Sequence, residues 1–264
     1  MLSSEPVKPD QLSRYLNFIT ETVYLAGRLT LGYFQSSLVV DYKTDNSPVT
    51  IADRKAEELI RQRIEHSFPK HAIVGEEFGL KESQGASYRW IIDPIDGTKS
   101  FMRGVPLYGV LLGLEIDGQV EAGAAYFPAL DEMIAAATGL GCQWNGRPAR
   151  VSQATDLKQA FFTTTSVQAF EKHNRFQAFR RLMNHCFFQT GWSDAYGYLL
   201  VATGRVELML DPVMNVWDCG PFPPILREAG GFFGDWKGQP SIYSNEALAT
   251  TQALLPQILE LING

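Results

Sequence analysis

A chain of 264 residues, 45% hydrophobic and 20% charged, is long enough for one large domain or two small ones sharing a core. Its formal net charge of −6 argues against a nucleic-acid footprint, which needs a basic face, and suits a site that holds an anionic ligand through metal cations. Cys142, Cys186 and Cys219 form no CxxC pair, the N-terminus shows no signal-peptide pattern, and no apolar run approaches the roughly 20 residues of a membrane helix, so a soluble cytoplasmic protein with reduced thiols is expected.

Leu12, Tyr15, Leu16, Ile19, Val23, Ala26 and Leu29 recur at helical spacing and predict a long amphipathic helix from Gln11 to about Gln35. The polar segment VVDYKTDNSP breaks both periodicities and reads as a loop. Thr50 and Asp53 then fit a capping box that opens a second helix. HAIVGEE reads as a short strand ending in Glu76 and Glu77, and YRWIIDP as a strand ending at Asp93, where Pro94 blocks continuation at an inner sheet position. PLYGVLLGLEIDGQVEAGAAYFP predicts a hairpin around Asp117-Gly118, and Asn145-Gly146 a further turn of a mostly antiparallel sheet. Beyond about residue 150 strand-like and helical segments alternate, which predicts an α/β second half (151–264) packed tightly on the first (1–150).

The segment Asp93-Pro94-Ile95-Asp96-Gly97-Thr98 places two carboxylates around a proline that fixes its own φ and before a glycine that permits close backbone approach to a ligand. Asp93, Asp96 and the Ile95 carbonyl are hard oxygen donors of the kind Mg²⁺ prefers, and the Gly97 and Thr98 amides would suit a phosphate. Alone the segment reads first as a turn, since Asp, Pro and Gly dominate turns. Glu76-Glu77 and Asp218, in VWDCGPFPPILREAGG, are uninformative by themselves; Asp218 fits a helix N-cap and the capping box accounts for Asp53.

Strand–GEE, strand–DPIDGT and WD–helix, in that order, resemble the inositol monophosphatase superfamily of Mg²⁺-dependent phosphomonoesterases. DPIDGTKSFMR matches the first family signature and WDCGPFPPILREAGG the second, with Gly220-Pro221 standing where a small pair is usual. Pro221 is tolerable at a helix start, while Pro223 and Pro224 predict a distorted first turn. The resemblance implies a layered αβαβα sandwich of the sugar-phosphatase type, of α+β class, with a mixed sheet in the first half. It puts Glu76, Asp93 and the Ile95 carbonyl on one ion and Asp93, Asp96 and Asp218 on a second, with Glu76 and Asp53 near a third. Glu76 and Thr98, with Asp53, become the catalytic residues that orient and deprotonate a water, and Lys43 resembles a lid lysine, a solvated loop lysine being the other reading. The site should lie between the halves, with Asp218 within ligand reach of Asp93 and Asp96. A homodimer is implied by the resemblance alone.

The resemblance implies a small phosphate monoester as substrate, bound by Asp96, Gly97, Thr98, Asp194, Asp211 and Asp218. SDAYGYLLVATGRVELMLDPVMNVWD and GDWKG are most similar to the histidinol-phosphate phosphatase branch, and carboxylates at Asp194 and Asp211 would complement the ammonium of L-histidinol phosphate. Ser193 or Asp194 would equally cap the following helix, and Trp192, Tyr196 and Tyr198 are either aromatic walls or core, Tyr198 more in keeping with core. Inositol-1-phosphate or another small sugar phosphate is the alternative substrate, and a regulatory RNA- or transcription-binding role the alternative class. The four histidines show no ligand spacing, and Cys219 has no partner to activate it.

Overall fold

Leu12, Tyr15, Ile19, Val23 and Ala26 line the buried face of α1 (Pro9–Leu31), which ends at Gly32, a turn earlier than the periodicity suggested. The structure is a computed structural model describing residues 8–37, 39–44, 47–83, 87–192 and 194–264. The segment expected as a loop contains β1 (Val40–Tyr42) and leads into β2 (Pro48–Thr50), which pair antiparallel. Strands of three residues that pair only with each other carry too little alternation to be read from sequence. Thr50 then caps α2 (Ile51–Ser67) in the expected box with Asp53.

The first sheet comprises β3 (Ala72–Gly75), β4 (Gly79–Lys81), β5 (Tyr88–Asp96), β6 (Gly109–Ile116), β7 (Gln119–Phe127), β8 (Glu132–Ala137), β9 (Gly141–Trp144) and β10 (Arg147–Pro148), in the order β10-β9-β8-β7-β6-β5-β3-β4. Only the β3–β5 pairing is parallel. Asp117-Gly118 and Asn145-Gly146 both have positive φ, the mirror-image turns that match strand twist. Strand β5 does not stop at Asp93. Its pairing with β6 continues to Asp96 through a bulge, while β3 ends opposite Ile92, so Pro94 lies where one edge of β5 has no sheet neighbour to receive a hydrogen bond.

A five-residue helix, α3 (Thr98–Met102), separates β5 from β6. The second half supplies β11 (Phe161–Thr163), α4 (Val167–Lys172), α5 (Phe176–His185), β12 (Phe188–Thr190), α6 (Ala195–Ala202), β13 (Leu208–Asp211), α7 (Val216–Cys219), α8 (Phe222–Glu228), β14 (Gly231–Gly234), β15 (Ala247–Thr251) and α9 (Leu255–Asn263). Its sheet runs β12-β11-β13-β15-β14, with β11 parallel to β12 and β13 and the other pairs antiparallel. The prolines after Asp218 split the expected helix in two: α7 ends at Cys219, and Pro221 in the helical region caps α8.

Alternating residues of β5 show how the layers form. Trp90 and Ile92 face α1 and α2, whereas Ile91 faces a middle layer with Tyr198 of α6 and Phe222 of α8. Met209 and Phe233 of the second sheet close that middle layer. Phe162, Leu208 and Leu248 face the other way, onto Phe170, Phe179 and Ile258 of α4, α5 and α9. The result is α+β, layered helix–sheet–helix–sheet–helix. Among the described residues no helix is long and apolar enough to cross a membrane.

Candidate active site

The bulged end of β5 carries the first two acids of the site. Asp93 is 1% exposed, and its Oδ1 accepts the Ile95 N–H at 3.1 Å. Asp96 Oδ2 accepts the Ala195 N–H at 2.5 Å, a bond that joins the first sheet to the start of α6. Asp218 is not the N-cap expected of it: Asn215 is, and Asp218, three residues on, closes the capping box of α7, its Oδ2 accepting from the Asn215 backbone at 2.7 Å and side-chain amide at 3.2 Å. One oxygen from each of Asp93, Asp96 and Asp218 lies within 4.8 Å of the other two, so the halves do bring these acids into common ligand reach.

Gly97, at φ 79° and ψ 39°, turns the chain from β5 into α3 through the left-handed region. Thr98 Oγ1 then lies 3.1 Å from the Ile95 carbonyl and 3.4 Å from Asp53 Oδ1. Asp53 divides its carboxylate. Oδ2 accepts from the Thr50 N–H at 2.8 Å and hydroxyl at 2.6 Å, and Oδ1 is left toward Thr98. The cap and a place beside the cleft therefore coexist in one side chain.

Glu76 follows β3, and Lys43 Nζ reaches its Oε1 at 2.8 Å and Glu77 Oε1 at 2.7 Å. Lys43, half-shielded between β1 and β2, thus leans over the acids. Burial alone would lower its pKa, but the two ion pairs outweigh it and raise the ammonium above its ordinary range. Sequence reasoning missed the support beneath this turn. Fully buried Glu57, one helical turn after Asp53, accepts the Glu77 N–H at 2.7 Å and the Phe78 N–H at 3.3 Å, and Arg61 Nε donates to it at 2.7 Å. A charged residue in a helix ordinarily reads as a solvated face; its four-residue offset from Asp53 was the available signal. Glu57→Gln is expected to cost about 3 kcal/mol by removing the buried charge that pairs with the partly buried Arg61 guanidinium, read as a lower urea midpoint.

Burial first, then Glu76, Asp96 and Asp218, pushes the Asp93 carboxyl well above its usual range. Asp96 is raised likewise, by burial and then by Asp194 and Asp218. Asp218 is pushed up to about 7 and Asp53 to about 6, in each case mainly by burial against opposing hydrogen bonds. Glu76 is raised by burial, with Lys43 opposing. Such a group cannot be fully ionised together without cations among them. The three aspartates form an all-oxygen donor set, which fits a hard divalent cation.

Toward the second half the cleft is lined by Thr165, Asp194, Val213 and Met214. Asp194 precedes α6 but makes no side-chain cap; its Oδ2 lies 3.4 Å from Ser100 Oγ. Ser193 falls outside the described residues. Asp211 corrects the sequence reading: it does not line the cleft. Only 2% exposed, it accepts hydrogen bonds from Tyr198 Oη, Thr164 Oγ1, Thr165 N and Thr165 Oγ1. Parity explains this, since Asp211 shares a face of β13 with Met209 of the middle layer. Tyr198 is core, Tyr196 is bonded to Glu132 and set edge-on to Phe127, and Trp192 is 41% exposed. No histidine lines the cleft, and burial beside Asp218 raises the Cys219 thiol, the reverse of an activated nucleophile.

The model of the Inositol monophosphatase family matches residues 11–263. A histidinol-phosphatase of Chlorobaculum parvum is 43% identical over 236 residues, covering 89% of this chain and 91% of its own. Two solved structures share the fold: the extragenic suppressor protein suhB of Bartonella henselae (TM-score 0.88, 27% identity, 94% of this chain and 98% of its own) and an inositol monophosphatase of Anabaena (TM-score 0.85, 29% identity, 96% of each chain).

Proposed function

From the premise that this chain belongs to the inositol monophosphatase family, and is a phosphoric monoester hydrolase of that family, we propose that it hydrolyses L-histidinol phosphate with Mg²⁺. The observation that carries the reading is the convergence of Asp93, Asp96 and Asp218 in a cleft whose other wall presents Asp194. Glu76, Asp93 and the Ile95 carbonyl would hold one ion, and Asp93, Asp96 and Asp218 a second, with Glu76 facing a third. When bound, Mg²⁺ lowers the pKa of water and neutralises charge on the phosphoryl and leaving oxygens.

The chain's own groups supply positioning, which phosphoryl transfer chiefly needs. The Thr98 hydroxyl donates its hydrogen bond to the Ile95 carbonyl or to Asp53 Oδ1, and either way a Thr98 lone pair is left to accept from the attacking water. Glu76, already raised in pKa, is suited to receive that water's proton. Lys43 shields Glu76 from solvent and offers an ammonium to the phosphate. Asp194 faces the leaving alcohol, where its charge complements the ammonium of histidinol.

Inositol-1-phosphate or another small sugar phosphate is the second reading, favoured by one observation: with Asp211 buried, Asp194 is, besides Asp218 of the acid cluster, the one carboxylate among the described residues that lines the second-half wall of the cleft. A regulatory RNA or transcription partner, the alternative class that the family resemblance allows, is opposed by the net charge of −6. We also propose a cytoplasmic homodimer, in keeping with three free cysteines. A phosphate-release screen with Mg²⁺ against histidinol phosphate, inositol-1-phosphate and nucleotide monophosphates tests the substrate. Histidinol phosphate is expected to lead in kcat/KM by about tenfold or more, the value of one charge-assisted contact. Preference for inositol phosphate would overturn the substrate, and no turnover at all would overturn the activity.

A further inference from the structure

Asp194 sits at φ 54° and ψ −155°, a region of backbone space that is essentially glycine's. A side chain persists there only where its surroundings over-determine it. Three contacts do so. The Asp194 N–H donates to Thr165 Oγ1 at 3.1 Å, the next amide, Ala195 N–H, donates to Asp96 Oδ2 at 2.5 Å, and the Asp194 carbonyl accepts the Gly197 N–H at 3.1 Å.

Thr165 is itself fixed from below. Its N–H donates to Asp211 Oδ1 at 2.9 Å and its hydroxyl to Asp211 Oδ2 at 3.1 Å. Buried Asp211 is held in turn by Tyr198 and Thr164. The hydroxyl proton of Thr165 is thereby committed to a carboxylate, which turns an oxygen lone pair toward the Asp194 amide and strengthens it as an acceptor. The strained backbone then holds the Asp194 carboxylate against the opposite wall, 3.1 Å from the position a Cβ on Gly97 would take and 3.4 Å from Ser100 Oγ.

We infer that Thr165 is a positioning residue for substrate selection: Asp211 orients its hydroxyl, the hydroxyl clamps the Asp194 amide, and the clamped backbone aims the Asp194 carboxylate at an ammonium group on the leaving alcohol. A glycine would meet this conformation without strain but would bring no charge, so the strain is the cost of putting a carboxylate there. This inference rests on the histidinol-phosphate reading for its substrate half; the clamp stands on geometry alone.

Melting temperatures test the clamp without any substrate. Asp194→Gly and Asp194→Asn both remove the charge, but only the glycine relieves the backbone. The glycine variant is expected to melt several degrees above the asparagine variant, and the gap to shrink to less than half in a Thr165→Val background. Should Thr165→Val not fold, the same pair in an Asp211→Asn background decides. Equal melting of the two variants, or an undiminished gap, overturns the clamp. The ratio of kcat/KM for histidinol phosphate over inositol-1-phosphate is expected to fall about tenfold in Thr165→Val, the scale of one charged hydrogen bond, and to recover in Thr165→Ser. An unchanged ratio overturns the role in selection. Turnover of neither ester by the native protein overturns the functional reading, and the melting comparison still decides the clamp.

Discussion

Asp93→Asn is expected to remove phosphatase activity by about a thousandfold or more, since loss of one preorganised charge-stabilising group alone costs about 10²–10³, while the metal-free protein becomes more stable. The two effects have one cause. Asp93 is almost wholly buried among Glu76, Asp96 and Asp218, and each of these raises its pKa after burial has done so. Asparagine keeps the acceptor for the Ile95 N–H and discards the charge. The sign follows from linkage. A carboxyl whose folded pKa lies above its unfolded value contributes stability below its unfolded pKa, near 4, and loses that contribution as pH rises through the folded pKa. With Asp218 raised to about 7 and Asp53 to about 6, the chelator-treated native protein should lose melting temperature steadily from about pH 4 to pH 8. Mg²⁺ should reverse most of that loss. Asp93→Asn should flatten the profile and melt about 4 °C higher at pH 8 without metal, the shift of 1–2 kcal/mol in a chain of this size. A metal-free native protein whose stability rises with pH would contradict the crowding of carboxylates on which the metal proposal depends.

The acids at the heart of the site were legible because each sits in a short motif at the end of an element. A strand running into DPIDGT, a strand running into GEE and a helix opening at WD can be recognised without knowing how they meet. What escaped was whatever depends on partners distant in sequence. Glu57 is a charged residue on an amphipathic helix until the turn at Glu77 and Phe78 folds over it. Asp211 was assigned to the alcohol-binding wall from its place in the chain, but strand parity turns it toward Tyr198 and the middle layer. The hairpin around Lys43 consists of two three-residue strands with no third neighbour, too short for any period to register. The five layers are an expectation of the resemblance, whereas periodicity identifies α1, the capping box α2, and alternation with turn signals the antiparallel run from β6 to β10. The break between α7 and α8 was only half visible: the prolines announced a distortion, and their reason lies across the sheet.

That reason gives a second large expected effect, for Gly113→Ala. Gly113 of β6 pairs with Gly123 of β7, so two neighbouring strands carry no side chain at this point of the face toward the middle layer, beside Ile91 of β5. Onto this point the α7–α8 junction descends to backbone contact. A Cβ on Gly113 would lie 2.3 Å from the Gly220 carbonyl oxygen, and one on Gly123 would lie 2.5 Å from Pro221 Cα. Neither obstacle is a flexible side chain, so the junction itself must lift by about 1 Å to restore ordinary contact, an overpacking that costs about 3 kcal/mol. Asp218 stands two residues before Gly220, and Asp93 two residues after Ile91, so this contact sets the distance between the acids. Lifting the junction carries Asp218 away from Asp93 and Asp96, and a misplacement of about 1 Å at a catalytic group can cost about a hundredfold in rate. Gly113→Ala should therefore bind Mg²⁺ at least about tenfold more weakly by calorimetry, as when the support of a metal ligand is disturbed, even at temperatures where circular dichroism reports an intact fold. Native Mg²⁺ affinity in a folded Gly113→Ala protein would mean that the acids are spaced by something other than this contact. The Gly220-Pro221 departure from the family pattern then has a physical place: a glycine carbonyl and a proline ring are what fit against a sheet whose own side chains have been removed to receive them.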